Sequence, residues 1–353
     1  MSLPDSDRLA RRRRAHKRTT RRQRAGAALA LASLAALLGW LASGSGSNHH
    51  AGTKGRPSRG ASARGPAGIH LVVSPEGQLP AAVQDAAGAP AAEGGALLIG
   101  GLDSSEASVA DVVQIEGVAA RRVATLPTAL HDACATPVGG AVYAFGGGEQ
   151  TSFSQILKVA TAGQAEPVGS LPTPASDVAC TTIAGVVYVV GGYTGQEPLR
   201  TILAWRPGET PAVVGTLPKP LRYAAISQVG GQVVIAGGTS GTQASRDVYR
   251  FDPLSGSVRE LARLPFPVTH AAGAALGGTM LVIGGRGEDV GSQRHSILAI
   301  SPTGAVSVAG ALPLALSDLA AAQSGRSLIL AGGVDRTGRT QREILRVTLK
   351  EAR

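Results

Sequence analysis

The chain has 353 residues, 43% of them hydrophobic but only 3% aromatic, with 48 glycines and 21 prolines. Its formal charge of +10 comes from one end: residues 1–68 hold 14 Lys/Arg and 2 Asp/Glu, whereas residues 69–353 hold 20 and 22. The basic balance therefore gives no support to a nucleic-acid-binding body, and two cysteines are too few for a disulfide-built mini-domain.

Ten of the N-terminal basic residues lie within residues 8–24, including Arg11, Arg12, Arg13 and Arg14. Residues 25–43 then run 19 positions without a charge, long enough to span a bilayer as a helix. The dense basic flank predicts a signal anchor with residues 1–24 in the cytoplasm and the remainder extracytoplasmic. A cleaved secretory signal near Ala42-Ser43-Gly44, giving a secreted product, is the alternative. The Arg11–Arg14 run also suits attraction to anionic lipid headgroups. Residues 44–68, rich in Gly, Ser and Arg, read as a flexible linker.

From residue 69 onward two markers repeat in phase. Gly-Gly pairs stand at 100–101, 146–147, 191–192, 237–238, 284–285 and 332–333, and Leu-Pro pairs at 79–80, 126–127, 171–172, 217–218, 264–265 and 312–313. A period of ~45 residues signals a solenoid, propeller or array. Each period contains about four short β-prone stretches punctuated by glycine and proline, and none shows sustained helical periodicity. The first stretch is small, as in Ala271-Ala-Gly-Ala-Ala275, which suits a strand crowded against a central axis. The second is continuously apolar, as in Val186-Val-Tyr-Val-Val190, the pattern of a strand buried on both faces. The double glycine after it predicts a sharp turn at positive φ.

Val142-Tyr-Ala-Phe-Gly-Gly147, Val187-Tyr-Val-Val-Gly-Gly192 and Asp247-Val-Tyr-Arg-Phe-Asp-Pro253 resemble the kelch motif. The resemblance covers residues ~69–353 and implies an all-β, kelch-like β-propeller; six periods make it six-bladed, and the apolar run at 25–43 places one transmembrane helix before it. Departures are clear: only two repeats keep Tyr before the glycines, and the outer-strand Trp of many kelch repeats is absent. The expected blades span about 80–126, 127–171, 172–217, 218–264, 265–312 and 313–353. The last repeat ends after its third strand, so residues 69–74 are expected to supply its missing fourth strand and close the ring.

Cys134 and Cys180 fall one position out of phase on equivalent inner strands. They therefore either both face the interface between the second and third blades or face apart. Facing together, they predict a disulfide in an oxidising compartment; otherwise they are two small core residues.

The loop before each first strand carries a recurring pair: Gln84-Asp85, His131-Asp132, Ser176-Asp177, Arg222-Tyr223, Thr269-His270 and Ser317-Asp318. In a propeller these surround one mouth of the central channel. The resemblance implies ligand binding at that loop, with Asp85, His131, Asp132, Asp177, Arg222, Tyr223, His270 and Asp318 as candidates. The competing role is structural, because Asp before a strand accepts hydrogen bonds from backbone amides. Charge is also uneven: residues 69–205 hold 4 Lys/Arg and 12 Asp/Glu, and residues 206–353 hold 16 and 10.

No nucleophile elbow, phosphate loop, HExxH or CxxC is present, and no cofactor or metal is implied. The expected function is a binding or scaffold module for a protein or envelope component, without a nucleic-acid partner. The alternative is an exported carbohydrate-active enzyme such as a kelch-type sugar epimerase. For that enzyme, His131, His270, Arg222 and Glu149 are the candidate acid–base groups.

Overall fold

The computed structural model describes residues 69–91 and 94–350. The expected cytoplasmic segment, transmembrane helix and linker lie outside the described residues. Among the described residues every regular element is a β-strand, and no helix is long and apolar enough to cross a membrane.

Each repeat folds into a run of four antiparallel strands. In the third these are Ala179–Ile183, Val186–Val190, Thr201–Trp205 and Ala212–Thr216, paired in that order. The 20-residue strand Ala119–Val138 serves two repeats. Its first part pairs with Val109–Glu116 and its second with Ala141–Gly148. The extended backbone thus continues through Leu126-Pro127, where the sequence placed a boundary. It does the same through Leu312-Pro313 within Val306–Ser317, since proline's fixed φ is compatible with a strand edge.

The final run is built from both ends of the propeller. Leu71–Gln78 pairs antiparallel with Glu343–Leu349, from Leu71↔Leu349 to Gln78↔Glu343. The strand is longer than the 69–74 expected. Arg346 binds Glu76 across this pair, Nε to Oε1 at 2.8 Å, and ties the N-terminal strand to the C-terminal one.

The core lies between neighbouring four-strand runs, in separate apolar clusters. One joins the second and third repeats through Phe145, Val187 and Trp205. Another joins the sixth to the first through Ile329, Ile344, Leu98 and Ile115. All five residues of Val186–Val190 are buried, as are those of Ser327–Ala331, because each second strand is covered by a neighbour on both faces. The scarce aromatics concentrate beside Trp205, which meets Tyr143 and Phe145 edge-on at 5.0 and 5.3 Å.

The double glycines join one repeat to the next. Gly332 has φ +68°, and a β-carbon there would collide with the Val83 carbonyl oxygen. Gly333 donates its amide to that same oxygen at 2.8 Å. The arrangement recurs at Gly101 to Leu130, Gly147 to Ala175, Gly192 to Leu221, Gly238 to Val268 and Gly285 to Leu316, all at 2.8–3.0 Å. The first glycine admits the carbonyl and the second binds it. The fold is an all-β, propeller-like arrangement in which the last repeat contacts the first.

Candidate functional site

The second member of each recurring pair occupies the left-handed region: Asp85 (φ 54°), Asp132 (57°), Asp177 (57°), Tyr223 (54°), His270 (57°) and Asp318 (59°). Their backbones form a closed cycle. Asp132 donates its amide to Asp85 O, Asp177 to Asp132 O, Tyr223 to Asp177 O, His270 to Tyr223 O, Asp318 to His270 O and Asp85 to Asp318 O, at 2.8–3.3 Å. Asp is enriched at left-handed positions because its short polar side chain tolerates them. The backbone cycle is made by main-chain groups, so it does not depend on the aspartate side chains accepting from amides.

The same six side chains line one cavity of about 130 Å³. Burial raises Asp85 and Asp132 well above the usual carboxylate range, and neighbouring aspartates push further. Asp318 and Asp132 are the neighbours that act most on Asp85, and Asp177 and Asp318 those that act most on Asp132. Burial raises Asp318 too, with the Ser317 hydroxyl opposing it by donating at 2.5 Å. Asp177 is raised by burial and held back by Arg222, whose Nη1 lies 3.3 Å from Oδ2. Carboxyls this close share protons rather than all ionising. Among the described residues no three His, Cys, Asp or Glu side chains form a metal-binding group.

The opposite side of the mouth is aromatic and cationic. Tyr223 stacks on His270 with centroids 3.7 Å apart and sends its hydroxyl across to Asp132 at 3.2 Å. The Arg222 guanidinium lies between Tyr193 and Tyr223, 4.4 and 5.0 Å from their centroids. Its Nε is buried without a partner. Arg286 reaches His270 Nε2 at 3.2 Å, and Thr269 meets Nδ1 at 3.0 Å. Burial, then Arg286 and Arg222, lower His270 well below the ordinary histidine range. Its Nε2 also lies 4.0 Å from Asp318 Oδ1.

His131 and Arg222 stand one residue outside the cavity lining. His131 bonds Ser108 through Nδ1 at 2.9 Å and is lowered by burial, against the pull of Glu149. Glu149 sits exposed in a nearby turn. The acid–base candidates are thus split: His270 faces the cavity, whereas His131 and Glu149 lie to its side. Tyr193 and Arg286 were missed by the sequence reading. Both directly follow a double glycine, and the matching positions are Leu102, Gly148, Thr239 and Val334. The signal was a phase rather than a residue type.

Cys134 and Cys180 form a disulfide with Cα atoms 5.7 Å apart. Both face the cluster between the second and third repeats. The bond lies two residues after Asp132 and three after Asp177, on the acidic side of the mouth.

Fold and cycle together define a β-propeller. The Kelch motif family model matches residues 174–209 and 220–265. The solved structure of YjhT resembles this fold with a TM-score of 0.66 and 15% sequence identity, over 78% of this chain and 99% of that one. No curated protein matches the sequence. The chain thus carries Kelch motifs over these residues within an all-β, propeller-like fold.

Proposed function

We propose that the protein is a six-bladed, extracytoplasmic binding module that recognises a protein or envelope component at the channel mouth. The six-term backbone cycle and the pairing of Leu71–Gln78 with Glu343–Leu349 support six blades in one ring. The single observation that carries the site is the identity of one cycle residue and its stacking partner. A left-handed position favours Gly, Asp, Asn or His, yet the fourth repeat places Tyr223 there, stacked on His270. Backbone preference does not account for the tyrosine. Stacked together and flanked by Tyr193, Arg222 and Arg286, the two rings make a rigid amphipathic platform of the kind that anchors interfaces.

The disulfide supports an oxidising compartment, and the apolar run at 25–43 supports a membrane anchor. The described chain begins beside Leu349, at the end of the sixth run opposite the double glycines.

Affinity capture from solubilised envelope extract tests the reading, with wild type against Tyr223→Asn/His270→Asn. Asn tolerates the left-handed backbone, so the variant keeps the cycle and loses the platform. A partner retained by wild type and lost by the folded variant is the expected result. Equal capture by both, or none by wild type, contradicts it. A kelch-type sugar epimerase is the second reading, because His270, lowered by burial, and Asp85 and Asp132, raised by burial, share one cavity. It requires epimer exchange in a sugar panel that His270→Asn abolishes.

A further inference from the structure

The repeats fill the space beside their Leu-Pro loops differently, and the first repeat leaves it open. Backbone bonds identify equivalent positions. The Val109 amide donates to Gly101 O as the Arg294 amide donates to Gly285 O, at 2.9 and 2.8 Å. Ala81 and Phe266 each directly follow a Leu-Pro pair. In the fifth repeat Phe266 packs on a floor that includes Leu264, Val268, Val282 and Leu298. The Arg294 guanidinium lies 4.0 Å from its ring centroid.

The corresponding floor of the first repeat is intact as Leu79, Val83, Leu98 and Val113. The ring and guanidinium, however, are replaced there by Ala81 and Val109. What remains is a largely apolar cavity of about 220 Å³, with Asp103, Asp111 and Arg122 along its lining. Arg122 is paired with Asp111, so a guanidinium is present here too, supplied by the fourth strand instead of the third.

We infer that this cavity binds a small aromatic molecule through a single benzyl-type ring, seated where Phe266 sits in the fifth repeat. The volume suffices, since an apolar cavity of about 150 Å³ already takes up benzene. The chain itself shows that this floor accepts a phenyl ring. Arg122 offers the ring a cation, while the aliphatic floor supplies the contact. The site is separate from the channel mouth and does not depend on the reading given there.

The test titrates benzyl alcohol into the full-length protein by ligand-observed NMR, comparing wild type with Ala81→Phe. A ligand of this size predicts a Kd on the order of 1 mM. Ala81→Phe restores the ring that the fifth repeat already holds, so saturable binding to wild type should weaken at least about tenfold, roughly the 1.4 kcal/mol that one decade represents. A thermal melt checks that the variant is folded. If it is not, Ala81→Leu, which fills part of the same volume, decides by the same loss. The inference is overturned if wild type shows no saturable binding up to about 10 mM, ten times the expected Kd. It is equally overturned if a folded filling variant binds as wild type does.

Discussion

Alanine substitutions at three glycines measure how the repeats hold one another. Gly117 has φ +56°, and a β-carbon added there would meet nothing within 4 Å, so Gly117→Ala carries only the cost of the left-handed backbone. That cost is about 1–2 kcal/mol, partly offset by about 0.4–1 kcal/mol from a less flexible unfolded chain. Gly146 and Gly332 share the conformation, at φ +63° and +68°, but each has a backbone carbonyl of the next repeat in the way. Their alanines must displace Ala175 O or Val83 O and so weaken the bonds from Gly147 and Gly333, at 3.0 and 2.8 Å. Losing a buried backbone bond adds about 1–3 kcal/mol. Gly332→Ala and Gly146→Ala should therefore both fall about 1–3 kcal/mol below Gly117→Ala, or roughly 2–5 °C in Tm for a domain of this size. Urea denaturation followed by Trp fluorescence measures all three. If Gly146→Ala is costly while Gly332→Ala behaves like Gly117→Ala, the last repeat does not clasp the first and the closed ring is refuted.

Other expectations follow from the mouth and the disulfide. The oxidised protein should weigh two hydrogens less than the reduced one, and Cys134→Ala/Cys180→Ala should lower stability by about 2–4 kcal/mol; free alkylation of both thiols in unfolded, unreduced protein contradicts this. Asp85→Asn should raise stability at neutral pH and change it little below pH ~4, measured by melts across pH. The sign follows from the raised pKa of Asp85: the unfolded chain ionises first, so native stability declines as pH rises from the ordinary carboxylate range through the folded pKa. Asn removes that decline. His270, lowered by burial and two arginines, should show no imidazolium signal by NMR between pH 6 and 7, near the ordinary histidine value of ~6.5, whereas titration near that value would mean the stack is open.

Much of the architecture was legible because backbone requirements repeat. The double glycines mark where a carbonyl of the next repeat approaches, and no other residue fits Gly146 or Gly332 without displacement. The apolar runs mark strands covered on both faces. The roles of the mouth residues were less legible. Asp85, Asp132, Asp177 and Asp318 are spaced as a ligand-binding ring would be, and the left-handed φ they share with Tyr223 and His270 was not visible in that spacing. Tyr193 and Arg286 lie at a position occupied by a different residue type in every repeat, and only the contacts with Arg222 and His270 select them. The facing of Cys134 and Cys180 needed packing to resolve, because a one-residue offset permits either side.

The most direct test of the proposed recognition site is amide hydrogen exchange on the captured complex against the free protein. The account predicts new protection in the loops carrying Tyr193, Arg222, Tyr223, His270 and Arg286, with the acidic side of the mouth changing less. Protection confined to outer strands such as Glu166–Ser170 and Ala212–Thr216, with the mouth loops unchanged, would contradict it.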